Sequence, residues 1–236
     1  TTGLDTGIRI LSNVNVALAI GIMVFVLLAG PTQFLMETFV DTLGAYVAAL
    51  PALSFRLFPY EELTGWSAGW TLTYLTWWLA WGPFVGIFIA RISRGRTIRE
   101  FCAGVILVPV LFSVLWFAVF GGAAIYIDLL GPGGLAEMVA ENVSDALFMF
   151  FRYFPAPGVL SFLATLLVFI FLVTSADSGA FVLAMMTSEG SLNPPTVQKW
   201  VWGGLIALIT IGTVASGSID VARAMAAAGA IPFSAG

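Results

Sequence analysis

The sequence predicts an all-α membrane protein. Of its 236 residues 60% are hydrophobic and 9% charged, against the roughly 25% charged residues of a soluble domain. Mean hydropathy is +1.02. Several stretches also run uncharged for longer than the roughly 20 residues that cross about 30 Å of hydrocarbon; residues 63–90, for instance, contain no Asp, Glu, Lys or Arg.

The same composition narrows the function classes. A net charge of −4 and a pI near 4.6 say little about nucleic acid, because membrane proteins place their few charges in loops and the only basic cluster here follows a span. No nucleic-acid role is expected. A single cysteine, Cys102, and the lack of any His leave no internal disulfide and no transition-metal cluster, so no cofactor is expected. An intramembrane hydrolase using Ser175 or Ser178 would need a base, and there is no His to serve. A channel would show rings of polar residues along a pore, whereas the polar residues sit in one cluster. The protein is therefore not expected to be an enzyme or a channel.

Taken in order, residues 1–15 read as a polar loop and short helix, with Arg9 the only base. Residues 14–30 form the first span, closed by Pro31. Residues 32–53 place Phe34, Leu35, Phe39, Leu43, Tyr46, Val47 and Leu50 at helical spacing with Glu37 and Asp41 among them, which predicts an amphipathic helix on the outer face of the membrane. Residues 51–67, with Pro59, Glu61, Glu62 and Gly65, form the turn into the second span, residues 69–91. The third span is 101–127. Residues 128–157 form a second outer loop, helical over 135–151 and acidic through Glu137, Glu141 and Asp145. Spans four and five are 158–187 and 197–219, and a sixth, 221–236, is cut short. Arg9, Arg91, Arg94, Arg96, Arg99 and Lys199 fall on one side by alternation, against Arg56 and Arg152 on the other, so the first group is cytoplasmic. The Arg cluster reads first as topogenic charge in contact with lipid phosphate, ahead of a gating role.

The second span carries the chemistry. Trp70, Tyr74, Trp77, Trp78 and Trp81 recur at three- and four-residue spacing, so Trp77 and Trp81 share a face and Trp78 flanks them over Tyr74. An interfacial aromatic belt accounts well for Trp70 and less well for Trp77 and Trp78. It fits Trp81 badly, because an indole N–H at mid-span has no water and needs a partner or a ligand. Gly82 and Pro83 then interrupt the apolar run. A break there frees backbone groups, which a bilayer tolerates only where they are buried in protein or line a cavity, as in the broken helices of secondary transporters. The plainer alternative is a packing kink.

The run WTLTYLTWWLAWGPFVGIFIARISRGRTIREF from Trp70 to Phe101 strongly resembles the betaine/choline/carnitine transporter family, both in its Trp-Trp-x-x-Trp-x-Pro-Phe-x-Gly core and in the Arg-rich run that follows. The resemblance implies a LeuT-type inverted-repeat fold of twelve helices, of which this chain would hold mainly the second repeat, from the end of the sixth helix to the start of the twelfth. It also implies a multi-pass protein of the cell (cytoplasmic or inner) membrane, a homotrimer by family analogy with residues 32–53 in the contact, and a substrate bearing an onium group. The residues agree with that substrate. A trimethylammonium has charge but no donor hydrogen, so hydrogen bonds cannot hold it, whereas aromatic faces attract it by about 0.5 to 2 kcal/mol each when desolvated. Tyr74, Trp77, Trp78 and Trp81 are the expected substrate residues, with Trp78 in direct contact by resemblance.

A second constellation, Thr174-Ser175-Ala176-Asp177-Ser178-Gly179 after Phe171, concentrates oxygen atoms within a span. Sodium takes oxygen ligands, but membrane Ser and Thr residues usually bond back to the previous turn or across to a neighbouring helix, and from the residues alone that reading prevails. The resemblance implies otherwise: in sodium-coupled members the positions matching Thr174 and Ser175 offer hydroxyls to a sodium near the carbonyl matching Phe171. Val85 stands where sodium-independent carnitine exchangers carry a Met, which disfavours pure exchange. Asp177 is an ionisable group in a span, either a proton relay or, as favoured here, a structural carboxylate. The expected function is secondary active import of glycine betaine or choline, coupled to sodium or protons by alternating access and serving osmoprotection. The alternative is an osmosensor or receptor of the same fold that binds the ligand without moving it.

Overall fold

A computed structural model describes residues 2–55 and 64–217, with residues 221, 224, 225 and 228 beyond them. Among the described residues every regular element is a helix: α1 (Thr2–Ala29), α2 (Thr32–Ser54), the single turn α3 (Thr64–Trp66) continued by a π-helical segment (Ser67–Leu72), α4 (Thr73–Ile92), α5 (Ile98–Leu129), α6 (Leu135–Glu141), a 3₁₀ turn (Val143–Asp145), α7 (Ala146–Phe151), α8 (Pro157–Met186) and α9 (Thr196–Ser216). Among the described residues five stretches are long and apolar enough to cross a membrane: Arg9–Ala29, Gly69–Ala90, Ile98–Leu129, Pro157–Met186 and Thr196–Ser216.

Several boundaries differ from the sequence reading. The loop and short helix expected over residues 1–15 are the opening turns of α1. Once a helix is nucleated each further residue adds a backbone bond at little cost, and Leu4, Ile8 and Leu11 continue the apolar spacing. Helix α2 runs through Pro51 as far as Ser54. The fifth span stops at Ser216 rather than at residue 219, because Gly217 takes a left-handed conformation with φ of 64°, which only glycine adopts freely. The single helix expected over 135–151 is three pieces. Asn142 turns extended there; its side chain accepts from Ser144 N at 3.1 Å and donates to Asp145 Oδ2 at 2.7 Å, so local side-chain bonds displace the helical ladder. Arg56, Pro59, Glu61 and Glu62 lie outside the described residues, as does most of the sixth span expected over residues 221–236.

The chain divides into two units, one of residues 1–56 and 97–174, the other of 57–96 and 175–236, so α8 contributes its first half to one and its second half to the other. In the first unit α1, α2 and α5 pack around Val26, Leu35 and Val119, and α7 closes the core with Phe151; all four side chains are fully buried. Leu35 can enter because α5 presents Gly122 to it. A methyl group at Gly122 would lie 3.2 Å from Leu35 Cδ2 and 3.3 Å from Thr38 Cγ2. Close backbone approach through small residues is how membrane helices gain van der Waals contact without a hydrophobic drive between them. An aromatic cluster extends the core, with Trp116 to Phe120 at 4.4 Å and Phe150 to Phe154 at 4.9 Å between ring centroids. At the end of α5, Asp128 turns its carboxylate onto the first amides of α6, accepting from Leu135 N at 2.8 Å and Ala136 N at 3.0 Å. Tyr153 Oη donates to Gly133 O at 2.9 Å, tying the glycine turn to α7.

In the second unit α8 meets α9 through small residues. A methyl group at Gly203 would touch Ala180 Cβ at 3.9 Å, and one at Gly179 would meet Ile206 Cδ1 at 3.6 Å and Phe84 of α4 at 3.9 Å. The turn between them is pinned by polar bonds: Trp202 Nε1 donates to Thr187 Oγ1 at 2.9 Å, Ser188 bonds Gln198, and Lys199 Nζ sits 4.8 Å over the Phe181 ring.

Overpacking at the α2–α5 contact should cost about 1 to 3 kcal/mol. Gly122→Leu is therefore expected to lower the apparent melting temperature of the detergent-solubilised protein by several degrees. Gly121→Leu, at a position with open space around it, should change it little.

Candidate functional site

The aromatic residues of α4 lie where helical geometry puts them. At about 100° per residue Tyr74, Trp77, Trp78 and Trp81 occupy one arc of roughly 100°. The half-buried Thr76, Leu79 and Pro83 lie on the opposite side. Phe84, which reaches Gly179, stands beside Trp77 at the edge of the arc and Val85 falls within it, so the packed side of the helix adjoins the aromatic side. The four rings are 45% to 60% exposed, so within its own unit the arc is uncovered.

Their pairing differs from the one the spacing predicts. Trp78 meets Trp81 edge-to-face, with centroids 5.6 Å apart and planes at 70°. Tyr74 stacks on Trp70 instead of lying under Trp78, at 6.1 Å and 7°. Residues 67–72 form a π-helix, a geometry that recurs at functional sites, and Trp70 within it meets Tyr74 four residues on, a spacing at which helical side chains are neighbours. Gly65 before it and Gly69 within it were the only signal of that turn in the sequence, and glycine alone does not specify a π turn.

The helix break expected at Gly82 and Pro83 is not there. Helix α4 continues from Thr73 to Ile92 with Pro83 inside it. Pro83 has no N–H, which leaves the Leu79 carbonyl without its usual helical donor, but the single lost bond does not end the helix. The irregular backbone of this span is the π-helical entry, not the Gly-Pro pair.

In α8 the oxygen-bearing residues also share a face. Phe171, Thr174, Ser175 and Ser178 fall within about 100° of arc, and Asp177 lies to one side of it. Thr174 Oγ1 donates to Ile170 O at 3.0 Å and to Phe171 O at 3.1 Å, so its hydrogen is committed to the preceding turn while its lone pairs remain open. The helix is unbroken from Pro157 to Met186. Phe171 O therefore serves the helical ladder and also accepts from Thr174 Oγ1, so a cation there would share it with the hydroxyl. Ser175 is exposed and makes no hydrogen bond among the described residues. Asp177 is exposed as well and is engaged within the chain. A groove of about 450 Å³ between α1 and the start of α8 is lined by Val14, Leu18, Phe25, Val159 and other apolar residues; it has no group that would hold a charged solute.

Comparison with known proteins places this geometry. The family model of betaine/carnitine/choline transporters matches residues 1–235. The chain belongs to that family. It is 45% identical over 99% of its length to an ectoine/hydroxyectoine transporter of Virgibacillus pantothenticus and 42% identical over 99% to a glycine betaine transporter of Bacillus subtilis. It is 40% identical over 91% to an ectoine/glycine betaine/proline transporter of Corynebacterium glutamicum. The chain spans 46%, 45% and 34% of those relatives, about half their length or less. Membership of this transporter family and five membrane-length helices make it a multi-pass membrane protein.

Because the backbone is already helical at Pro83, Pro83→Ala should fit without rearrangement and supply the missing donor to Leu79 O. Its apparent melting temperature is expected to equal or exceed that of the parent protein. A clear drop would show that a bend at Pro83 is needed.

Proposed function

We propose that the protein is a secondary transporter that imports a quaternary ammonium compatible solute, glycine betaine or choline, by alternating access between two inverted repeats. The observation that carries this reading is the uncovered arc of Tyr74, Trp77, Trp78 and Trp81 on a membrane-length helix without a charged residue among them. An onium group offers no donor hydrogen, so a surface of ring faces with little competing polarity is the chemistry that selects it. The edge-to-face pair Trp78–Trp81 presents one ring face to an incoming cation, and Trp78, at 60% exposure, is the first candidate for contact. Relatives named for glycine betaine and ectoine support a compact solute that carries a cationic group, and they widen the range to ectoine.

The coupling ion enters as a second substrate. Phe171 O and Thr174 Oγ1, 3.1 Å apart, are spaced so that one hard cation could touch both at distances of about 2.3–2.6 Å, the range for calcium–oxygen bonds. Ser175 on the same face supplies a third oxygen. Three ligands are fewer than a hard cation takes, so the proposal requires further oxygens from other elements of the protein. If protons drive transport instead, Asp177 is the group on this helix that could carry them. An ion bound better in one conformation shifts the equilibrium by that difference in affinity, which is what couples its gradient to uptake.

Uptake of radiolabelled glycine betaine and choline into proteoliposomes, with sodium and proton gradients imposed separately, tests both parts. Trp78→Ala is expected to weaken apparent affinity by about 2- to 30-fold, the equivalent of one cation–π contact, and Trp78→Phe by less. Thr174→Val keeps the shape but removes the hydroxyl, so sodium-driven uptake should be lost in it and kept in Thr174→Ser. Proton-driven uptake indifferent to Thr174→Val would sink the sodium site. Saturable binding with no flux under either gradient would replace transport with the receptor reading.

A further inference from the structure

Where α4 and α8 end together, the structure holds a cavity of about 330 Å³ lined by Ile87, Ala90 and Arg94 of α4 and its following turn and by Met185, Met186, Gly190 and Leu192 of α8 and its following turn. Its lining is apolar except for one guanidinium. Helical geometry sets it on the far side of α4 from the aromatic arc: at about 100° per residue Ile87 and Ala90 centre roughly 160° away from Tyr74, Trp77, Trp78 and Trp81, and Arg94 follows in the turn after the helix. The cavity is therefore not a continuation of the proposed substrate surface.

Its depth is marked by its neighbours. At the start of α9 Trp200 is 77% exposed and Lys199 lays its ammonium over Phe181, the pairing of Trp and a snorkelling base found at a membrane–water interface. Thr187, just past the cavity wall, is held to α9 by the Trp202 indole, so cavity and interface markers belong to one packed end of the unit. Within this unit the sequence there is mainly basic, with Arg91, Arg94, Arg96 and Lys199 against Glu189 over residues 91–96 and 187–200. Arg94 makes no ion pair among the described residues, and its planar fork of donors matches a phosphate.

The geometry points to a binding site for one anionic phospholipid, with its phosphate on Arg94 and its glycerol and first methylenes against Ile87, Ala90, Met185, Met186 and Leu192. A free phosphate would gain nothing from the thioether and aliphatic wall, and a zwitterionic headgroup would bring its own cation to the guanidinium. Attraction of basic residues to an anionic leaflet contributes about 1 kcal/mol per residue wherever they stand. A built site must add discrimination beyond that diffuse term. Methionine suits such a wall, since its flexible thioether adapts to chains of different shape.

The test is native mass spectrometry of the delipidated full-length protein titrated with dioleoylphosphatidylglycerol, dioleoylphosphatidylcholine or inorganic phosphate, with thermal melting to verify each variant's fold. One phosphatidylglycerol should be retained in preference to phosphatidylcholine. Arg94→Gln should weaken it by about tenfold or more, the scale of a charge-assisted hydrogen bond, and Arg94→Lys by less. Ala90→Phe, which fills the cavity and leaves the charge in place, should weaken it too. Arg96→Gln, outside the lining, should change it by no more than a few-fold. Equal retention of the two lipids, equal effects of Arg94→Gln and Arg96→Gln, retention undiminished by Ala90→Phe, or displacement by phosphate at concentrations similar to those of the lipid would each overturn the site. The readout requires no transport, so it stands or falls separately from the reading of the aromatic arc.

Discussion

In hydrocarbon every backbone amide and carbonyl must find its partner within the protein, and the rest of this structure depends on that constraint. It explains why helix is kept where local sequence argues against it. Helix α4 runs through Pro83 and α5 through Pro109. It also explains the hydroxyls. Thr76, Thr165, Thr174, Thr187, Thr210 and Thr213 each donate to the carbonyl four residues back, at 2.8 to 3.0 Å. Where the chain does leave the helix among the described residues, special groups take over. Asp128 caps α6, and the reciprocal bonds of Thr97 and Glu100 form a capping box that starts α5.

With the backbone so committed, chemistry falls to side chains and to second lone pairs. The aromatic arc of α4 needs only an unbroken helix to align its rings, and Phe84, at the edge of that arc beside Trp77, packs against Gly179. In the proposed reading the arc has no carboxylate or amine to offer a solute, so specificity would rest on ring faces and on the exclusion of water. In α8 the same economy puts Thr174 Oγ1 beside Phe171 O without unwinding a turn, so an ion drawn to that face would not have to disrupt the ladder.

Much of the fold was legible in the residues. Charge-free length announces a membrane helix because a charge in hydrocarbon is costly and a run without one is rare in soluble chains. The spacing of Tyr74, Trp77, Trp78 and Trp81 announced their common arc because a helix repeats at 3.6 residues. Legibility failed where two local rules compete. Gly82 and Pro83 read as a break, yet the cost of one missing donor was smaller than that of exposing a whole turn. Residues 1–15 read as polar loop, yet helix propagates easily once begun. Over 135–151 helix forms on either side of Asn142, but the bonds of its side chain to Ser144 N and Asp145 just downstream are not encoded in helical spacing.

By itself the sequence determined that this is an all-α membrane protein, which stretches are long enough to cross, and which face of α4 carries the rings, because each follows from composition and helical period. Only the tertiary structure decided which ring pairs with which, that Gly122 and Leu35 bring α2 against α5, and that Arg94 closes a cavity with Met185 and Met186 roughly ninety residues along the chain. The physical reason is range. Period and hydropathy act between residues a few positions apart, whereas close packing is set by the shapes of distant side chains that meet only when the helices do.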